Sequence, residues 1–132
     1  MTRARLIGPA LAMLIAAPAA AANGAVQACF AKMTGGEQKS CMEALQRAAR
    51  AELDGVYRAV LESARKRESA TFSEAAAIEA SQKAWEAYRD AECRGRIGGG
   101  SWGSGTAAMV MGCYAEKNYE RIQELKAPFD QR

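Results

Sequence analysis

Any fold this chain adopts must accommodate four cysteines, Cys29, Cys41, Cys93 and Cys113, and what precedes them decides their chemistry. Met1 is followed by Arg3 and Arg5, the apolar run Leu6 to Ala17, Pro18, and an alanine run ending at Ala22. Basic, apolar and small-residue regions in that order read as a secretory signal peptide over residues 1–22, with Ala20-Ala21-Ala22 giving signal peptidase the small side chains it accepts before Asn23. The apolar run is shorter than the roughly 20 residues that span a bilayer, and nothing after Ala22 is long and apolar enough to do so. The expectation is an exported mature domain over residues 23–132, periplasmic or secreted, with no membrane span and in a space where thiols oxidise. A lipid anchor at Cys29 competes with this reading. Gln27 fits a lipoprotein cleavage site poorly, the apolar region ends too far upstream, and lipidation would strand one cysteine.

An even set of cysteines in an exported chain predicts two disulfides. Zinc is disfavoured because the chain has no histidine, no C-x-x-C pair and spacings too wide for a zinc knuckle, so neither metal nor cofactor is expected. Of the three connectivities, Cys29 with Cys41 and Cys93 with Cys113 is preferred, since each pair spans a turn or loop that is otherwise free; sequence alone leaves the other two open. Loss of Arg3 and Arg5 with the signal lowers the net charge from +3 to +1. A nearly neutral domain without a basic patch interleaved with aromatics is not expected to bind nucleic acid.

The pattern of the mature chain is helical throughout. Thr34 to Glu37, T-G-G-E, forms a capping box in sequence, and a long helix is expected from there toward Lys66 with Cys41, Leu45, Ala48, Glu52, Val56, Tyr57, Val60, Leu61 and Ala64 on its stripe and Leu53 beside them. Gly55 interrupts it at about 1 kcal/mol relative to alanine, in a place suited to close helix approach or a slight bend. Thr71 to Glu74, T-F-S-E, repeats the box and opens a second helix running to about Cys93, antiparallel to the first. Arg94 to Gly105 is a glycine-rich loop, and a third helix from about Thr106 to Lys126 presents Val110, Cys113, Tyr114, Ile122 and Leu125 inward before Pro128 stops it. The fold class is therefore all-α, a small disulfide-stapled bundle of three main helices with a glycine-rich loop before the last.

Gln82, Trp85, Arg89 and Cys93 share one side of the second helix, with Tyr88 widening the apolar stripe. Trp85 and Tyr88 are expected in the core. Arg89 and Asp90 lie beside it, Arg121 comes near from the third helix, and Arg89 is suited to pair with Glu52 or Asp54 and fix register. The glycine loop is the better functional candidate. Trp102 stands there among glycines and serines with no stripe to bury it, and with Ser101, Arg94 and Arg96 it offers a contact surface; the competing reading folds the ring back over the end of the bundle. Without histidine, a free thiol or a C-x-x-C pair, no catalytic residue is expected and the chain is not read as an enzyme. The loop lacks the G-K-[ST] of a phosphate cradle.

The stretch Gln82, Trp85, Tyr88, Arg89, Asp90 and Cys93, the Leu53 to Tyr57 segment, the glycine loop, and Cys113 followed by Arg121 and Leu125 together resemble the LprI-type lysozyme inhibitor, N-terminal domain family of small exported bacterial proteins. The likeness runs from Cys29 to Leu125. Two departures are Asn118, where the family often has threonine, and Asp54-Gly55, where Leu-Asn and a larger residue are common. The resemblance implies an all-helical envelope protein whose partner is lysozyme, inhibited by plugging a glycan cleft without chemistry. A structural or accessory role on another envelope protein is the alternative.

Overall fold

Thr34 caps the longest helix in both directions: the Glu37 amide donates to Thr34 Oγ1 at 3.2 Å and the Thr34 amide donates to Glu37 Oε2 at 3.0 Å. Two orphan donors at the helix start are satisfied this way. The computed structural model describes residues 19–32, 34–100 and 103–127. Helix α1 spans Ala19–Phe30, α2 Gly35–Arg65, α3 Glu74–Asp90 and α4 Thr106–Lys126, and no strand occurs among the described residues. The last three are the expected main helices, and α1 is an addition. The expected cleavage point after Ala22 falls in the first turn of α1, and the side chains that anchor it, Val26 and Cys29, come later.

The second cap differs from expectation. Ser73, not Thr71, precedes α3, accepting from the Ala76 amide at 3.2 Å. That places Glu74 at the first helical position, where its carboxylate pairs with Arg67 at 3.1 Å instead of closing a box. The Arg65–Glu79 pair at 2.9 Å likewise crosses between the antiparallel α2 and α3 near their connection.

Helix α2 buries Met42, Ala49, Leu53, Leu61 and Ala64: Leu61 and Ala64 are on the expected stripe and Leu53 beside it, whereas Met42 and Ala49 lie one residue round, and Ala48 and Glu52 are exposed. The cause lies on α4, whose inner face carries the small residues Ala108, Gly112 and Ala115. A Cβ at Gly112 would lie 3.3 Å from Val26 Cγ1 and 3.4 Å from Met42 Sδ, so α1 and α2 both pack onto that glycine. Val26, Cys29, Met42, Ala49, Ala108 and Ala115 form the main core, and Leu61, Ala64 and Ala75 a smaller one toward the α2–α3 turn.

Past Asp90 the chain does not open into a loop. Ala91–Ile97 forms a π-helical turn, so Arg94 and Arg96 lie on a helix and the irregular stretch begins at Gly98. The Gly98 amide donates to the Cys93 carbonyl at 3.0 Å and the Gly99 amide to the Gly95 carbonyl at 3.1 Å, closing the turn. A Cβ at Gly98 or Gly99 would sit 2.6 or 2.5 Å from a carbonyl oxygen of the turn. Glycine is required there by sterics.

The bridges are Cys29–Cys41 and Cys93–Cys113, the preferred pairing, with Cα separations of 5.5 and 5.6 Å. Their sequence separations of 12 and 20 correspond to about 3 kcal/mol of stabilisation each in the chain-entropy account. Because Met42 and Gly112 touch, and each is the neighbour of a bridged cysteine, both disulfides sit at one end of the bundle.

Gly55 does not mediate helix approach: α2 runs through it unbroken, and a Cβ there meets nothing within 4 Å. Gly55→Ala should therefore raise stability by about 0.5–1 kcal/mol through helix propensity, whereas Gly99→Ala should lower it by about 1–3 kcal/mol through overpacking. Urea midpoints of the two variants under oxidising conditions test the contrast.

Candidate functional site

Helix α3 buries little apolar surface. Its buried side chains are Ala75, Gln82 and Arg89, and the facing turns of α4 bury Asn118 and Arg121. A helix docked through such groups needs each of them paired, since an unpaired buried charge costs far more than its burial returns. The pairing is built around Trp85. The Arg89 guanidinium lies 5.0 Å from the Trp85 ring centroid and that of Arg121 5.7 Å, so one indole serves two cations from two helices. Each such contact is worth about 0.5–2 kcal/mol, more where water is excluded.

The two arginines are then held by directional bonds. Arg89 is 5% exposed; its Nη1 donates to Asn118 Oδ1 at 3.1 Å, and its Nε and Nη2 reach Asp90 Oδ1 at 3.2 and 3.1 Å. Arg121 donates from Nε to Gln82 Oε1 at 3.1 Å, from Nη2 to Ser81 Oγ at 2.9 Å and from Nη1 to Glu124 Oε2 at 2.9 Å. Arg89 thus does not reach Glu52 or Asp54, which pair with Lys126 and Arg50. Both carboxylates are exposed on α2.

Tyr114 extends the cluster. Its hydroxyl donates to Asp90 Oδ1 at 2.9 Å, and its ring takes the guanidiniums of Arg89 at 5.1 Å and Arg94 at 5.8 Å. Burial pushes the Asp90 carboxyl up, but the hydrogen bonds from Tyr114 and Arg89 outweigh it and hold the carboxyl below its ordinary value. Burial, then the bond to Asp90, pushes the Tyr114 hydroxyl up.

Of the residues singled out from sequence, Trp85, Arg89, Asp90 and Arg121 come together in this cluster. Tyr88 does not: it is 54% exposed, turned aside from the 82–85–89 line, with Lys117 Nζ 5.8 Å from its ring. Arg94 and Arg96 project from the π-helical turn, and Arg96 forks onto Glu92. Ser101 and Trp102 lie outside the described residues. The sequence reading missed Asn118 as a partner of Arg89 and Ser81 as a partner of Arg121, because both positions are polar and do not register in an apolar pattern. No group of His, Cys, Asp and Glu among the described residues is arranged to hold a metal ion.

Two concavities flank the cluster. A groove of about 830 Å³ runs between the second half of α2, the start of α3 and the end of α4, with Val60, Phe72, Ile78 and Leu125 in its walls. A cleft of about 330 Å³ lies on the stapled side, bordered by Arg89 and Arg94.

The described residues thus form a bridged helical bundle in which α3 and α4 are clamped through two arginines on one tryptophan. The sequence model of the family described as Lysozyme inhibitor LprI matches residues 25–125, and the chain belongs to that family. No curated protein and no solved structure matches it.

Two measurements probe the cluster. The Nδ2 of Asn118, fully buried, has no hydrogen-bond partner among the described residues, while its Oδ1 serves Arg89. Asn118→Thr removes the orphan donor and keeps an acceptor, so it should raise stability by up to about 1 kcal/mol; Asn118→Leu, which orphans the guanidinium, should lower it by about 1–3 kcal/mol. Asp90 gives the pH dependence. Its folded pKa lies below the unfolded value of about 3.9, so its contribution is complete above that pH and is lost as pH falls through the folded value. Acid titration of stability should be shallower below about pH 4 in Asp90→Asn than in the parent.

Proposed function

We propose that this protein is an exported inhibitor of the lysozyme type, acting in the periplasm or outside the cell by protein–protein contact and without catalysis. Membership of the family over residues 25–125 carries the reading. The fold is compatible with it: no described helix is long and apolar enough to cross a membrane, and both disulfides suit an oxidising compartment. Residues 1–22 act as the signal peptide in this reading, and residues 23–132 form the working domain. A scaffold of this kind inhibits by being rigid where it touches the enzyme, since little rearrangement is then needed on binding. The contact surface is assigned to the π-helical turn and the glycine stretch after it, with Arg94, Arg96, Ser101 and Trp102 as its side chains.

A second reading rests on charge. Lysozymes of the c-type are cationic, and an inhibitor gains association rate from the opposite sign. This chain is +1 without its signal, and Arg94 adds positive charge to the assigned surface, where Arg96 is matched by Glu92. An accessory role on an acidic envelope protein fits that balance.

The mature protein, with its disulfides intact, should slow cell-wall lysis by at least one lysozyme class when present at roughly micromolar excess. Arg94→Glu with Arg96→Glu should change that inhibition without changing helicity. Undiminished lysis across c-type, g-type and i-type enzymes rejects the inhibitor reading. Affinity capture from the periplasm that depends on Arg94 would then favour the accessory role.

A further inference from the structure

The cleft on the stapled side carries more positive charge than it can use internally. Its walls include Arg50 from α2, Arg89 from the end of α3, Arg94 from the π-helical turn, and Val110 and Met111 from α4, against the single carboxylate of Asp90. The Oδ1 of that carboxylate already accepts from Arg89 and from Tyr114. Arg50 engages Asp54 through Nε in an exposed i,i+4 pair, a weak tie. Arg94 has an aromatic face under it and no ion-pair partner among the described residues.

From this we infer that the cleft is a binding site for a carboxylate group. Planar guanidiniums recognise planar anions through paired N–H donors, and two of them reaching one cavity from different elements select an anion placed between them. Arg89 forms a fixed wall, because Asn118 and Asp90 hold its guanidinium in place. The Asp90 carboxylate beside the site repels a doubly charged phosphate more than a singly charged carboxylate. Val110 and Met111 supply an apolar wall for the carbon chain that carries the acid. A volume of about 330 Å³ suits a short acid or one acidic side chain and is at the low end for a small-molecule pocket. The inference stands on this geometry and does not depend on lysozyme being the partner.

Titration of the disulfide-intact protein with acetate, with N-acetylglutamic acid methylamide and with inorganic phosphate, followed by the NMR signals of the arginine Nε–H groups, tests it. Both carboxylates should give saturable shifts at Arg94 and Arg50, with dissociation constants in roughly the millimolar range. Arg94→Gln and Arg50→Gln should each weaken binding about tenfold or more, the loss of one charge-assisted contact. Arg58→Gln, on the exposed side of α2, should leave it unchanged. Tighter binding of the glutamate derivative than of acetate identifies an acidic side chain of a partner protein as the source; equal binding identifies a free small acid. Shifts that stay linear with concentration, that persist in Arg94→Gln with circular dichroism unchanged, or that are strongest with phosphate would overturn the assignment.

Discussion

Trp85 stands between two arginines that come from different helices, and the position of α3 depends on that contact. Elsewhere the bundle is joined by apolar side chains: Val26 and Met42 meet over Gly112, and Ala49 packs with Ala115 in the same core. Helix α3 has an apolar contact near its start, where Ala75 and Ile78 meet the smaller core, and none comparable along its second half. Its central buried side chains are an amide and a guanidinium, which would be a liability if left unpaired. Arg89 and Arg121 make them an asset by engaging all three nitrogens of each guanidinium with a neighbour, so that docking requires one register of α3 against α4. A shift by one turn would separate Arg121 from Gln82 and Ser81 while separating Arg89 from Asn118. Polar docking of this kind gives less stability per area than apolar packing but discriminates strongly among alignments.

The disulfides complement this arrangement. Residue order reverses between α3 and α4, Ser81 meeting Arg121 and Arg89 meeting Asn118, so those helices are antiparallel, while Met42 near Gly112 and Glu52 near Lys126 make α2 and α4 run the same way. The starts of α2 and α4 and the end of α3 therefore gather at one end, and both bridges are there. The other end is joined by the α2–α3 turn, by the smaller core of Leu61, Ala64 and Ala75, and by the exposed ion pairs Arg65–Glu79 and Arg67–Glu74, which contribute little. The covalent crosslinks are thus gathered at the end where the π-helical turn and the arginine cleft lie.

What could be read in advance follows from how each feature is encoded. Helix existence, the Thr34 cap and the need for two bridges are local or compositional, and the sequence carries them directly. In the first half of α2 the buried line lies one residue round from the expected stripe because Ala48 and Ala49 are equivalent in an apolar count, and only the small face of α4 decides between them. Thr71 and Ser73 are both competent caps, and the choice falls to Glu74 and Arg67. Asn118 and Ser81 could not be found by periodicity, since their role is to satisfy arginines distant in sequence. Tyr88 misled for the opposite reason: an aromatic beside a stripe looks buried, yet the 82–85–89 line points past it.

The same family signature in sequence now has a physical division of labour. Gln82, Trp85, Arg89 and Asp90 face inward or sideways to hold α3, so their recurrence in a motif reports the fold more than the partner. Arg94 stands one turn beyond them, in the π-helical turn that also carries Cys93, bridged to Cys113. It shares Tyr114 with Arg89, which ties an exposed cation to a buried one through a single ring. A guanidinium held on a fixed aromatic, beside a disulfide and without a carboxylate of its own, loses little freedom when an anion arrives. In the proposed carboxylate site, that preorganisation keeps the entropic cost of binding low.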